Sequence, residues 1–353
     1  MRAAVGRVLA GGIYVLGREV EAFEREWARF CGASAAAGVA NGTDALALAL
    51  QATGAVRPGR RDEVITAPLT AGYTALGIAN AGGVPAFADV HPETFTLDPG
   101  GLERALTKRT RAVVPVHLYG QMSEMEAVCD FAERRGLVVV EDAAQAHGAR
   151  LAGRRAGAWG QAAAFSFYPT KNLGAYGDGG AVTSADARVV ERVKELRQGG
   201  HPSALEGIVA GRNSRLDELQ AAALRVRLRR LNDWNRRRRK LAALYGRLLR
   251  GARTRLVLPT ERAGAGSHVF HLYVVRHRER ERLRAHLASR GVETLIHYPA
   301  PPLHRRPLFR RRGQPALPVA ESLSAEIFSL PLSPQLREEE VHAVADAILE
   351  YEK

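Results

Sequence analysis

Short, continuously apolar segments alternate with segments of helical periodicity in the first half of the chain. Val20, Phe23, Trp27 and Phe30 fall at helical spacing and predict a helix over residues 17–31. Because the apolar segments are short and uninterrupted, both faces of the sheet they form are expected to be covered. The alternation predicts an α/β fold with a mostly parallel central sheet flanked by helices. The predicted strands are 64–66, 85–87, 112–116 and 137–140, and further helices are predicted at 45–51, 74–81 and 122–135.

The pattern changes near residue 251, and the change predicts a domain boundary. Before it lie predicted strands at 162–167 and 180–184 and helices at 185–197 and 216–249. After it come a strand at 271–275, a helix at 280–290, a strand at 292–296, a Pro/Arg-rich loop at 299–318 and a helix at 337–351. We therefore expect a large domain over residues 1–250 and a smaller α+β domain over 251–353.

The net charge of +14 raises the question of nucleic-acid binding. The densest basic run, residues 236–240, lies within a predicted helix, where it is a solvated face or an attraction for a small anionic substrate. No aromatic interleaving, zinc-finger spacing or helix-turn-helix pattern accompanies it. No nucleic-acid partner is predicted.

The sequence also gives no sign of a membrane or metal protein. No apolar run reaches the roughly 18 to 20 residues that span a bilayer, and the start of the chain does not resemble a signal peptide. Cys31 and Cys129 are far apart and lack metal-ligand spacing. A cytoplasmic protein with no metal and no membrane partner is expected.

The five lysines of the chain stand in two kinds of context. Lys171 follows an apolar, aromatic run at residues 165–169, and such neighbours could desolvate its amine and lower the pKa. A lysine with a lowered pKa is a nucleophile, yet a surface lysine in a loop after a strand has the same local sequence. Local composition alone does not decide between these two interpretations. The other lysines lie on polar helix faces, in a charged turn or at the C-terminus: Lys108, Lys194, Lys240 and Lys353.

Two further segments carry candidate chemistry. Asp142 ends an apolar strand, where ligands bind in open α/β sheets, and a carboxylate there suits the pyridine nitrogen of pyridoxal phosphate (PLP). A helix N-cap is the alternative for Asp142, with Gln145 one helical turn on. Gly42 and Thr43 open a helix whose free N–H groups can hold a phosphate. Taken alone, that segment is a capped helix start.

Seven ordered motifs over residues 15–334 together resemble the DegT/StrS family of PLP-dependent sugar aminotransferases, of the aspartate-aminotransferase superfamily and fold type I. The resemblance implies PLP as cofactor and a homodimer with the active site at the subunit interface. It also implies that the N-terminus is short by about one helix relative to the family. The motifs are NGTDAL, FADVHPETFTLDP, VHLYGQM, VVEDAAQAHGA, FSFYPTKNLGAYGDGGAV, GRNSRLDELQAAAL and HYPAPPLH.

At matching positions the resemblance assigns cofactor roles. Lys171 would form the Schiff base with PLP and then move a proton, while Asp142 would pair with the pyridine nitrogen and Gln145 would contact the ring hydroxyl. The usual position of the aromatic residue that stacks on the cofactor is occupied by Ala71, so Tyr73 is the candidate for stacking. The phosphate would be held by Gly42, Thr43 and Ser166, with Asn213 reaching it from the neighbouring subunit.

The resemblance further implies transfer of an amino group from L-glutamate to a nucleotide-linked keto sugar. The form YPTKNLGAYGDGG is similar to the subgroup that acts on 3-keto sugars. A dTDP-3-keto-6-deoxyhexose is therefore the expected substrate, with a UDP-linked 3-keto or a 4-keto sugar as the alternative. The substrate-binding candidates by motif position are Tyr168, Arg212, Arg215, His297, Tyr298 and His304.

Two other functions remain open within the resemblance. A PLP-dependent sugar dehydratase shares the fold, but relatives of that type carry histidine in place of the lysine. A non-catalytic regulator would suit the positive charge, but the chain has no room for an added DNA-binding domain.

Overall fold

A computed structural model describes residues 1–200, 211–250, 254–262, 264, 266–311 and 314–353. Its centre is a seven-stranded sheet with the strand order β1-β9-β8-β5-β4-β2-β3. The pairs β2–β3, β2–β4, β4–β5 and β5–β8 are parallel, whereas β8–β9 and β1–β9 are antiparallel. The expected mostly parallel sheet is confirmed. The strands of the first part of the chain are β1 (Ala35–Val39), β2 (Glu63–Thr66), β3 (Val84–Phe87), β4 (Thr110–Val114), β5 (Val138–Asp142), the short hairpin β6 (Arg150–Leu151) and β7 (Arg154–Arg155), β8 (Ala162–Ser166) and β9 (Gly180–Ser184).

Helices cover both faces of this sheet, as the uninterrupted apolar strands predict. In β8, Ala163 and Phe165 join one buried cluster while Ala162 and Ala164 join the other, because successive side chains of a strand point to opposite faces. Each fully buried Phe or Leu side chain of these clusters contributes about 1.5–3 kcal/mol. The helices are α1 (Arg2–Gly11), α2 (Arg18–Cys31), α3 (Gly42–Ala52), α4 (Gly72–Asn80), α5 (Leu102–Ala105), α6 (Met125–Arg134), α7 (Ala187–Leu196), α8 (Glu218–Leu228) and α9 (Leu231–Arg250).

A third core lies in the C-terminal part of the chain. Strand β10 (Tyr273–Arg276) pairs antiparallel with β11 (Ile327–Leu330), and helices α10 (Arg280–Ser289) and α12 (Glu338–Glu352) pack near them. The same core includes Leu241 and Tyr245 of α9. Division of the chain at residue 250 stays a prediction.

Several predicted elements differ from the structure. The single helix predicted over 216–249 is two helices, since the exposed Arg229 and Arg230 form a turn between α8 and α9. The strand predicted at 292–296 is wrong, because Leu295 makes only an isolated bridge with Ser329. The predicted loop ends where α11 (Pro318–Glu326) begins. The sequence interpretation missed α1, β1, α5, the hairpin β6–β7, α11 and β11.

Over the described residues, no helix combines the length and the apolar character that crossing a bilayer requires.

Candidate active site

A cavity of about 810 Å³ opens at the carboxyl ends of the parallel strands. Asp142 is the last residue of β5 and Ser166 the last of the adjacent β8, so the sheet itself brings both to the cavity wall. Open α/β sheets bind ligands at this edge. The predicted site residues that line the cavity are Gly42, Thr43, Tyr73, Asp142, Gln145, Ser166, Tyr168, Lys171, His297 and Tyr298.

Lys171 lies in the loop that joins β8 to β9, in a tight turn closed by its backbone N–H donating to Tyr168 O at 2.9 Å. Burial lowers the pKa of its amine from 10.5 to about 8, although the negative charge of Asp142 acts in the opposite direction. An appreciable fraction of the amine is therefore neutral near pH 7, as nucleophilic attack and proton transfer require. Of the two interpretations of Lys171, the surface lysine does not fit this position.

The Asp142 carboxylate is fixed by two donors. The hydroxyl of Thr74, in the first turns of α4, donates to Oδ2 at 2.7 Å, and the N–H of Ala144 donates to Oδ1 at 3.2 Å. Thr70 Oγ1 lies 3.2 Å from the Thr74 hydroxyl and extends this support. No helix begins at Asp142, since residues 143–149 form turns. The helix N-cap is thus excluded, and so is the placement of Gln145 one helical turn on.

The start of α3 meets the end of β8 at very close range. A Cβ added to Gly42 would lie 2.6 Å from Ser166 Cβ, and one added to Gly180 would lie 2.4 Å from Asn41 O. Only glycine fits at either position. Asn41 Oδ1 accepts the Asp44 N–H at 2.8 Å, whereas the N–H groups of the first helical residues have no carbonyl within the helix to bind. The helix terminus and the Ser166 hydroxyl are together suited to bind an anion, as an anion cradle.

The Gln145 amide is oriented by the backbone of Tyr119. Because the Tyr119 N–H donates to Gln145 Oε1 at 2.7 Å, the amide nitrogen must face the cavity, where it donates to Tyr298 Oη at 2.9 Å. The Tyr119 hydroxyl in turn donates to the His297 carbonyl. One chain of contacts thereby ties Gln145 to the segment that carries His297 and Tyr298.

Four predicted residues do not line the cavity of a single chain. Arg212 is bound to Asp44 Oδ1 at 3.1 Å and to Asn80 O at 2.7 Å. His304 is buried beside Glu321, whose Oε1 lies 2.9 Å from the imidazole Nε2. The other two, Asn213 and Arg215, are exposed in the segment before α8.

The sequence interpretation missed several polar residues of the site, Thr74, His271 and Asp44 among them. Thr74 is separated from Asp142 by 68 residues, so only the fold shows their contact. His271 and Asp44 also line the cavity. A histidine at the start of an apolar strand was the one available signal for His271, and Asp44 stands inside a recognised motif. No group of His, Cys, Asp and Glu in the described parts of the chain is arranged to hold a metal ion.

Comparison with known proteins places this geometry in context. The model of the DegT/DnrJ/EryC1/StrS aminotransferase family matches residues 1–349. The dTDP-3-amino-3,4,6-trideoxy-alpha-D-glucose transaminase of Streptomyces venezuelae is 46% identical over 351 residues, which are 99% of this chain and 91% of that protein. A pleiotropic regulatory protein of Geobacillus stearothermophilus is 45% identical over 346 residues, 98% of this chain and 92% of that protein.

A solved structure extends the similarity to the fold. The crystal structure of S. venezuelae DesV in complex with a ketimine intermediate superposes with a TM-score of 0.93 at 46% identity, covering 100% of this chain and 94% of that one.

Proposed function

The chain belongs to the DegT/DnrJ/EryC1/StrS aminotransferase family, and we propose that it transfers an amino group from L-glutamate to a dTDP-linked 3-keto-6-deoxyhexose. It is a PLP-dependent aminotransferase, and we propose that it works as a cytoplasmic homodimer. The observation that carries the proposal is that the anion cradle, Asp142 and the near-neutral Lys171 amine meet in one cavity.

The residues present fit PLP at each of its polar ends. The cradle at Gly42, Thr43 and Ser166 suits the phosphate, since no side chain intrudes between the α3 terminus and β8. Asp142, held by Thr74, would bind the ring nitrogen, and the cavity-facing amide of Gln145 would donate to the ring hydroxyl. Lys171 would bind the aldehyde carbon.

PLP, when bound, supplies an electron sink that stabilises negative charge at the carbon losing its proton. The protein provides the groups that direct this chemistry. Lys171, once its amine is free, would take a proton from the α-carbon of the amino donor and deliver it to the carbon on the other side of the shared nitrogen, the former aldehyde carbon of the cofactor. Asp142 keeps a negative charge against the ring nitrogen and so favours its protonated form. Tyr298 Oη, which accepts from Gln145, keeps its own hydrogen for a substrate oxygen.

The choice of sugar rests on the form of the Lys171 loop and on the relatives. One relative named for a dTDP-3-amino sugar comes from S. venezuelae and shares 46% identity with this chain. At about 810 Å³, the cavity has room for a sugar beside the cofactor. Lys171 itself favours amino transfer over the dehydratase alternative.

The homodimer is supported by the scarcity of cationic side chains among the described residues that line the cavity of one chain. Among the described residues that line the cavity, Lys171 is the only lysine or arginine, yet a nucleotide diphosphate needs cations. The exposed Asn213 and Arg215 are suited to reach the cavity of a second copy. Tyr73 and Tyr168 line the cavity but are 68% and 52% exposed, as expected for side chains that a partner covers.

The test is amino transfer by the purified enzyme to a panel of keto sugars. Wild type is incubated with L-glutamate, PLP and dTDP-3-keto, UDP-3-keto or 4-keto sugars, and mass spectrometry identifies the amino product. We expect turnover fastest with the dTDP-3-keto sugar and none with Lys171→Ala. Turnover of only a 4-keto sugar would overturn the regiochemistry. Wild type without a borohydride-reducible cofactor adduct would overturn the function as a whole.

A further inference from the structure

A buried relay of two asparagines and one histidine connects α9 to the cavity wall. Asn235, Asn172 and His271 are 2%, 4% and 8% exposed. Asn172 Nδ2 donates to Asn235 Oδ1 at 2.9 Å, and Asn172 Oδ1 lies 3.3 Å from His271 Nδ1. His271 and Lys171 both line the cavity, whereas Asn235 does not.

Two backbone carbonyls fix the direction of every hydrogen bond in this relay. The His147 carbonyl can only accept, so the Asn235 amide nitrogen, 2.8 Å away, must face it, and Asn235 Oδ1 is left for Asn172. The Val269 carbonyl likewise requires the Asn172 amide nitrogen, 3.1 Å away. Asn172 Oδ1 is therefore the atom that faces His271.

The consequence is a defined tautomer of His271. An amide oxygen facing Nδ1 requires Nδ1 to carry the hydrogen, and the lone pair of the neutral ring then lies on Nε2. Burial, followed by the positive charges of Lys171 and Arg238, holds the pKa of His271 well below its ordinary value. The ring is neutral at pH 7. His147 and His297 also face it, and burial lowers the pKa of each of these rings.

We propose that Asn235 and Asn172 hold His271 in the Nδ1–H tautomer so that the Nε2 lone pair is available to accept a hydrogen bond from the Lys171 amine once that amine is free. His271 is then a positioning residue that acts through Lys171, a role that rests on the proposed function. As a weaker base than the amine, it holds the amine in place without taking its proton. It stabilises the ammonium form and opposes part of the effect of burial.

The test measures the titration of Lys171 in the pyridoxamine-phosphate form, in which its amine is free. Acetylation by acetic anhydride is followed against pH by mass spectrometry, with the four other lysines as internal references. His271→Asn retains a donor to Asn172 but has no atom at the Nε2 position, whereas His271→Gln places an amide oxygen there. We expect the Lys171 midpoint to fall by about one pH unit in His271→Asn, a tenfold change in the amine-to-ammonium ratio. His271→Gln should recover at least half of that shift.

An unchanged midpoint in His271→Asn, or equal falls in His271→Asn and His271→Gln, would overturn the proposal.

A second variant tests the far end of the relay and does not alter the cavity wall. Asn235→Ala removes one of the two acceptors that orient the Asn172 amide nitrogen, and so weakens the preference for Asn172 Oδ1 to face His271. The Lys171 midpoint should fall in this variant as well, and an unchanged midpoint would reject the relay even where the His271 variants do not fold. These outcomes are separate from those that test the proposed function, in which wild-type Lys171 must form a borohydride-reducible adduct with PLP.

Discussion

Lys171 has to lose and regain a proton near neutral pH, and its surroundings set the pH at which it does so. Burial brings the pKa of the amine to about 8. Because the protonated amine cannot accept a proton, the rate of a single amino transfer should rise about tenfold per pH unit below that value and level off above it. Stopped-flow absorbance with saturating glutamate measures this rate. A rate independent of pH between about 6 and 8 would contradict the assignment of Lys171 as the base.

Asp142 acts through its charge, and an uncharged replacement of the same shape isolates that contribution. Asp142→Asn removes the negative charge that favours protonation of the ring nitrogen, so we expect kcat to fall by about 100-fold or more. Thr74→Val removes only the hydroxyl that donates to Oδ2, and its loss should be about tenfold, the effect of one hydrogen bond to a charged group. Steady-state kinetics of the two variants give the comparison. Equal losses would show that orientation, and not charge, is the main contribution of Asp142.

The side chains that the sequence could predict differ in one physical respect from those it could not. Lys171 and Asp142 are marked by their own neighbours, an aromatic run and an apolar strand that ends in a carboxylate. Thr74 and His271 acquire their roles only through contacts with residues far away in the chain, Asp142 and Asn172 respectively. A threonine in a helix and a histidine just before a strand look the same in sequence whether or not such a contact exists.

Helix α3 depends at its first residue on the absence of a side chain. Gly42→Ala would place a methyl group 2.6 Å from Ser166 Cβ and force the helix terminus away from β8. We expect PLP affinity to fall by about tenfold, the effect of losing one charge-assisted hydrogen bond to the phosphate. Absorbance titration of the apoenzyme measures it.

Gly6→Ala is the matched control for this substitution. A methyl group at Gly6 in α1 meets no atom within 4 Å, so PLP affinity should not change, and α1 should gain about 0.5–1 kcal/mol. If Gly42→Ala kept the wild-type affinity for PLP, the close approach of α3 and β8 would not contribute to phosphate binding.

Helix α2 is capped by a side chain from α8. The Glu218 carboxylate accepts the N–H groups of Gly17, Glu19 and Val20 at 2.9, 2.9 and 2.8 Å. Glu218→Gln replaces an acceptor with a donor that faces these N–H groups, and should lower the free energy of unfolding by about 2 kcal/mol. Urea denaturation at one fixed protein concentration measures the change. Glu133→Gln, on the exposed face of α6, is the control and should change it by less than about 0.5 kcal/mol.

Elements with strong periodicity were predictable, and those that depend on a distant partner were not. Helix α2 and strand β9 follow their sequence patterns closely. The alanine-rich β1 has no strand pattern of its own and forms at the sheet edge by pairing with β9. Strand β11 likewise pairs with β10 after a Pro/Arg-rich stretch. Arg229 and Arg230 gave no sign of a break, because arginine is a good helix former.

The molecule carries a net charge of +14, yet one chain places a single lysine and no arginine among the described residues that line its cavity. Arg212, the nearest candidate by motif, is already paired with Asp44. Among the described residues, the arginines of a chain therefore lie outside its own cavity. Two-fold symmetry would bring the exposed Asn213 and Arg215 of each subunit to the cavity of the other.

Subunit mixing tests this arrangement directly. Lys171→Ala destroys the site that the variant subunit builds, while the double variant Asn213→Ala, Arg215→Ala damages only the site of its partner. In a mixed dimer, the site built by the Lys171→Ala subunit contains all of the substitutions, because its partner supplies the altered residues 213 and 215. The other site contains wild-type residues only. Random reassociation of two inactive homodimers should therefore restore about a quarter of wild-type activity, since half of the dimers are mixed and each carries one intact site.

Mixing Lys171→Ala with Asp142→Asn provides the control. Each substitution inactivates the site of the subunit that carries it, so both sites of the mixed dimer are inactive. Activity should stay at the level of the separate variants. Restoration in both mixtures, or in neither, would mean that Asn213 and Arg215 do not serve the neighbouring site. Restoration in the first mixture alone would show that Asn213 and Arg215 complete the site of the neighbouring subunit, which would account for the lack of arginine among the described residues that line a chain's own cavity.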